Sequence, residues 1–213
     1  EQLSVSELKK PVYHSFSITT MNKKEISEFC PGSQSEWRSW LEENHVKEDA
    51  VWLIVYKKNS GVPSISWSEA VDEALCFGWI DSVKKPIDSE KYKQYFGKRK
   101  ASSTWSKINK DKVVILAEQG LMADAGLRTI EVAKLNGSWT ILDTVEALIV
   151  PTDLEEAFTK QPNSKEYYLS LSKSIQKMLL AWVVLAKRPE TRQKRIDEIA
   201  ERASQQQLPK HMG

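Results

Sequence analysis

Several resources that proteins use for stability or chemistry are scarce in this 213-residue chain. It has two cysteines, Cys30 and Cys76, so no disulfide framework holds it together. Three histidines, His14, His45 and His211, follow no repeated spacing, which argues against a zinc site of the Cys/His kind. No other metal or cofactor is expected. Its longest apolar run, Met178 to Ala186, is less than half of the about 20 residues a membrane span requires. Residues 1–20 carry no continuous apolar stretch, so a secretory signal is not expected there. These absences point to a soluble, intracellular protein without membrane insertion. A chain this long buries roughly 70% of its unfolded surface and needs no metal or crosslink to fold.

What the chain has in quantity is tryptophan, eight in all. Each hides about 150–250 Å² when buried, reason enough to place most of them in the core. Cys76 lies inside a helical apolar pattern and reads as a small buried hydrophobe.

Residues 1–21 are unpatterned and read as a loose extension. Ser33 with Glu36 and Ser66 with Glu69 have capping-box spacing and open two helices, the second stopped by Gly78. Val51–Lys57 reads as a strand. Trp79–Lys85 and Lys91–Arg99 read as two antiparallel strands around Pro86-Ile87-Asp88-Ser89. Beyond residue 102 the apolar period is helical. Helices are expected over 110–119 and 124–136, closed by Gly120 and Gly137. Another is opened by Thr152 and Glu155. The run 174–187 is apolar almost all round, predicting burial on several sides, and Pro189 suits the first turn of a last helix. The expected fold class is α+β: a small antiparallel sheet with helices, followed by an α-helical C-terminal region. The expected boundaries are 22–137 for the α+β part, 138–208 for the helical module and 209–213 for a tail.

Charge is unevenly placed. From Lys84 to Lys112 ten basic residues face three acids, a local excess of +7 in a chain of net charge +2. Tyr92, Tyr95, Phe96 and Trp105 are interleaved with them, a mixture used by nucleic-acid surfaces. Solvated lysines on a hairpin produce the same pattern. The stretch from Gly97 to Ser106 sets three cations and four hydroxyls before a helix start, where free N–H groups favour an anion. Capping by Ser102 or Ser103 is the plain alternative. A second cluster (Lys187, Arg188, Arg192, Lys194, Arg195) is expected to pair with Glu190, Asp197 and Glu198 on an exposed helix face.

No nucleophile elbow, zincin pair or dinucleotide loop is present. Asp81, beside Trp79 and Ile80, is the best lone acid. It is expected to pair with Arg99 across the hairpin, or else to serve as an acid or base. The candidate binding residues are Trp79, Asp81, Arg99, Lys100, Ser103, Trp105, Lys107 and Asn109, with no catalytic or metal-ligating residue assigned.

Taken in order, the segments resemble one family. They are Trp37-Arg38-Ser39-Trp40-Leu41, Val51-Trp52-Leu53, Lys57-Lys58 with Ser60-Gly61, and the run EAVDEALCFGWIDS over 69–82. They continue with Arg99-Lys100, Ser102 and Trp105-Ser106-Lys107-Ile108-Asn109, then Gly120-Leu121-Met122, Ala125-Gly126-Leu127 and Gly137-Ser138-Trp139. Ala186-Lys187-Arg188, Glu190-Thr191-Arg192 and Arg195-Ile196 complete the set. Over roughly 22–208 the chain resembles the YdeI/OmpD-associated family, also described as bacteriocin-protection proteins. Where the family pattern has proline before Arg99, this chain has Lys98, and Met21 matches a natural start. The resemblance implies a front part similar to the YjbR/CyaY-like superfamily and a helical OmpD-associated module behind it. It further implies a cytoplasmic, non-catalytic, stress-related role in tolerance of bacteriocins or antimicrobial peptides. The expected partner is a protein or an anionic ligand. A nucleic-acid module on 79–109 and an enzyme acting on a small anion through Asp81 are the alternatives.

Overall fold

The computed structural model describes residues 25–212; the expected extension over 1–21, with His14 and Met21, lies outside them. The element order is β1 (Glu28–Phe29), α1 (Gln34–Asn44), β2 (Ala50–Tyr56), α2 (Trp67–Cys76), β3 (Trp79–Pro86) and β4 (Lys91–Lys98). Seven helices follow: α3 (Lys107–Glu118), α4 (Asp124–Leu135), α5 (Asp143–Glu146), α6 (Thr152–Thr159), α7 (Ser164–Ser170), α8 (Lys173–Val184) and α9 (Pro189–Ser204). The protein is α+β, with strands early and helices late.

The four strands lie in the order β1-β2-β4-β3. β3 and β4 form the expected hairpin, and β4 also pairs antiparallel with β2. The sheet is mixed rather than purely antiparallel, because the two-residue β1 runs parallel to β2. A residue of β2 and its partner on β4 share a face. Val51, Leu53 and Val55 therefore point the same way as Phe96, toward the helices, while Trp52, Ile54 and Tyr56 point away.

The first core fills the helix side of the sheet. Trp37, Trp79 and Phe96 are fully buried, and Trp40 lies 5.2 Å from Trp37 and 5.9 Å, edge-on, from Trp79. The Trp37 indole donates to the Ala70 carbonyl at 3.0 Å, tying α1 to α2. Gln34 and Arg38 both donate to the buried Glu73 carboxylate, so that acid is paired rather than exposed.

The two capping boxes differ. Ser66 and Glu69 satisfy each other's backbone N–H. Ser33 accepts from Glu36, but the Glu36 carboxylate reaches one residue further back, to the Gly32 N–H at 2.9 Å. At α6 the cap position belongs to Pro151, with no side-chain bond, and Thr152 is already helical. Gly78 follows α2 with φ +73°, a left-handed conformation that glycine adopts without strain.

A second core, formed by Val145, Leu154, Phe158, Tyr168, Leu180 and Ile196 among others, is separate from the first. α8 buries Gln176, Leu179, Leu180 and Val183 but leaves Met178 44% exposed, so it is covered on one face rather than on several. The basic cluster on α9 is used between helices rather than along one. Arg192 grips Asp153 of α6 with two bonds of 2.7 and 2.9 Å, and Arg195 donates to the Trp182 carbonyl of α8.

Candidate functional site

α2 ends at Cys76, and α4 crosses it at glycine. A Cβ on Gly126 would lie 2.3 Å from the Cys76 carbonyl oxygen, and one on Gly78 would lie 2.7 Å from the Thr129 methyl. The Ala123 N–H donates to the same Cys76 carbonyl at 3.0 Å. These close approaches set one face of α4 against the turn between α2 and β3. At that junction the Arg99 N–H donates to the Gly78 carbonyl, so the chain leaving β4 passes the start of β3.

A cavity of about 390 Å³ opens there, the size of a small-molecule site. Its apolar wall is Val46, Phe77, Trp79, Trp105 and Val132, with Gly78, Ala101, Ala125 and Thr129 between them. Its polar groups are Lys98, Arg99, Lys100, Arg128 and His45. Among the described residues no carboxylate lines it. His45 Nδ1 lies 2.8 Å from the Leu41 carbonyl, which can only accept, so Nδ1 carries the proton and Nε2 is left for a ligand or solvent.

Arg99 is the centre of the arrangement. Its guanidinium lies 3.7 Å from the Trp105 ring centre, and Trp105 packs on Trp139 at 5.0 Å. One terminal nitrogen donates to the Thr104 carbonyl. Burial pulls its pKa down to about 10, against a smaller opposing pull from Asp81. The expected ion pair with Asp81 does not form. The Asp81 carboxylate instead accepts from the Trp67 indole at 2.9 Å and from Gln94 at 3.3 Å. Arg99 is thus a largely buried cation without a carboxylate within ion-pair distance among the described residues. Its Nε and the indole N–H of Trp79 are buried with no hydrogen-bond partner.

Of the candidates read from sequence, Trp79, Arg99, Lys100 and Trp105 come together on the cavity wall, and Asp81, Ser103, Lys107 and Asn109 stand outside it. Ser103 closes a turn onto the Lys100 carbonyl, and Lys107 pairs with Asp111 one helical turn away. Ser106, rather than Ser102 or Ser103, caps α3 by accepting from the Asn109 N–H. His45, Phe77, Arg128 and Thr129 were not candidates. They come from three separate stretches of the chain, and no local pattern joins them.

The dense basic block is largely engaged. Lys98 pairs with Asp49, Lys110 with Asp143 and Lys112 with Asp72, partners outside the block itself. Lys93 pairs with Glu28 of β1.

The fold defines an α+β protein with a helical C-terminal part, and two family models match separate stretches of the chain. Residues 147–206 match the family described as bacteriocin-protection, YdeI or OmpD-associated. Residues 29–129 match a separate domain family of unknown function, DUF8412, and hold all of the cavity lining except Val132. No curated protein and no solved structure gives a match. Among the described residues no helix is long and apolar enough to cross a membrane, and no group of residues is suited to a metal ion.

Proposed function

We propose that the protein is a non-catalytic bacterial binding protein that takes up a small anionic molecule with an apolar body. The site is the cavity between the α2–β3 turn, the end of β4 and α4. One observation supports this reading: among the described residues Arg99 is buried against Trp105 with no carboxylate at ion-pair distance, in a cavity lined by four Lys and Arg side chains, of which Lys98 is paired with Asp49. A charge held this way is costly until a counter-ion arrives, so an anion is the natural complement. The aromatic and aliphatic wall selects a ligand with an apolar portion over a bare inorganic ion.

The match of residues 147–206 to the bacteriocin-protection, YdeI or OmpD-associated family supports the role we propose for the protein. In a cytoplasmic protein of the YdeI/OmpD-associated kind, with a YjbR/CyaY-like front part, the captured anion would serve tolerance of bacteriocins or antimicrobial peptides under stress. The enzyme reading needs Asp81 and Arg99 in one closed pocket, and Asp81 stands outside it.

Calorimetric titration tests the site, with benzoate and indole-3-carboxylate as apolar anions and inorganic phosphate as the bare one. The carboxylates are expected to bind, and Arg99→Gln to weaken them at least about 10-fold, the scale of a lost charge-assisted bond. No heat with any of the three, or an affinity unchanged from the parent in both Arg99→Gln and Arg128→Gln, would overturn the assignment.

A further inference from the structure

The face of the sheet turned away from the first core carries a second pattern. Trp52, Ile54 and Tyr56 of β2 alternate with core residues, and Tyr95, Lys93 and Lys91 of β4 stand opposite them. Trp52, Ile54, Tyr56 and Tyr95 belong to neither buried core, and all remain partly exposed. Among the described residues, the helices that fill the first core lie on the other side.

Three rings and three lysines share this face. Trp52 meets Tyr95 edge-on at 5.3 Å. Lys85 and Lys93 sit 5.0 and 5.1 Å from the Trp52 ring centre, and Lys91 lies 5.4 Å from that of Tyr56. Lys85 of β3 and Lys93 of β4 are direct cross-strand partners. Like charges placed opposite each other destabilise a sheet, so their presence asks for an external anion. Edge protection accounts for Lys85 on the edge strand β3 but not for Lys93, because β4 is an interior strand. Glu28 pairs with Lys93 and Asp88 with Lys91, and exposed pairs of that kind open at little cost.

We propose that this open face binds single-stranded nucleic acid. The rings are the reason for choosing it over other polyanions. Trp52 and Tyr56 are four residues apart on one strand, about 13 Å at the usual strand rise, with Tyr95 beside Trp52. That spacing offers stacking surfaces for two or three unpaired bases, as other four-stranded sheets do, with lysines between them for the phosphates. A duplex hides its bases and could use only the lysines.

The test is fluorescence anisotropy with a labelled oligo(dT) of roughly twelve nucleotides, the site size of a small single-strand binder. Binding to the single strand is expected at low salt and weaker binding to a duplex of equal length. Trp52→Ala should lose about 10-fold, the value of one stacked base. Lys85→Glu with Lys93→Glu, two surface changes that leave the core intact, should abolish binding. Arg99→Gln should leave binding unchanged, which separates this surface from the cavity. No binding at low salt would overturn the proposal. So would equal affinity of Trp52→Ala and the unaltered protein, or capture of heparin with the same affinity by both, since either marks a charge patch rather than a base platform.

Discussion

Arg99 and Cys76 show how burial sets the behaviour of single groups. The Arg99 pKa is lowered to about 10 from its ordinary 12.5, so the folded state disfavours its charge at every pH below that window. Between the two values the folded protein binds fewer protons than the unfolded chain, and stability rises with pH there. Arg99→Met, which keeps the bulk and removes the charge, should therefore leave the urea-unfolding free energy at neutral pH within about 1 kcal/mol of the parent, or raise it. A loss of several kcal/mol would mean that the charge itself holds the fold. Cys76 behaves in the opposite sense. Burial pushes its thiol up to about 11 from 9.0, so stability is intact below the lower value and falls as pH rises through the upper one. Thiol labelling at mildly alkaline pH should find Cys30, which is exposed, reacting at once and Cys76 only on unfolding. Two fast thiols would contradict the burial of Cys76.

The crossing of α2 and α4 is what makes the cavity, and it depends on having no side chain at residue 126. Gly126→Ala would place a methyl against the Cys76 carbonyl, a backbone atom with little room to retreat. The expected loss is about 1–3 kcal/mol in thermal denaturation, together with loss of carboxylate binding in the cavity. An alanine variant with unchanged melting and affinity would show that α4 can slide. This crossing also marks how far the sequence could be read. The strand Val51-Trp52-Leu53-Ile54-Val55, the Ser66–Glu69 box and the glycines after α2, α3 and α4 are local signals, and each lies where they indicated. β1 is two residues long and leaves no pattern, so its parallel pairing was invisible. Trp79, Arg99, Lys100 and Trp105 were legible as a group because they are near one another in the chain. Their cavity partners from α4 and the α1–β2 loop arrive by tertiary packing, which carries no spacing rule. The Asp81–Arg99 pair failed because the Trp67 indole and Gln94 amide take the carboxylate.

At the scale of the whole molecule, the two cores share no buried residue, and seven of the eight tryptophans precede the second. Damage to one core should therefore be read separately from damage to the other. Leu180 is fully buried in the second core, and Leu180→Ala should cost about 2–5 kcal/mol there. Urea unfolding followed by tryptophan emission should keep the parent midpoint, while far-UV dichroism gains an earlier step from the C-terminal helices. Coincident shifts in both signals would show that the cores unfold as one.

The strand order β1-β2-β4-β3 has a consequence for how the chain is made. β2 pairs with β4, yet α2 and β3 lie between them in sequence. The hairpin of β3 and β4 closes a short loop and needs little time, but β2 leaves the ribosome roughly 40 residues before the end of β4 exists. At about 5–20 residues per second, the run from Val51 to Val55 waits several seconds with the edge that β4 covers open, and only the short β1 is available for the other. Nascent protein is therefore most vulnerable to aggregation in that interval, and a chaperone that holds extended apolar segments would find its target there.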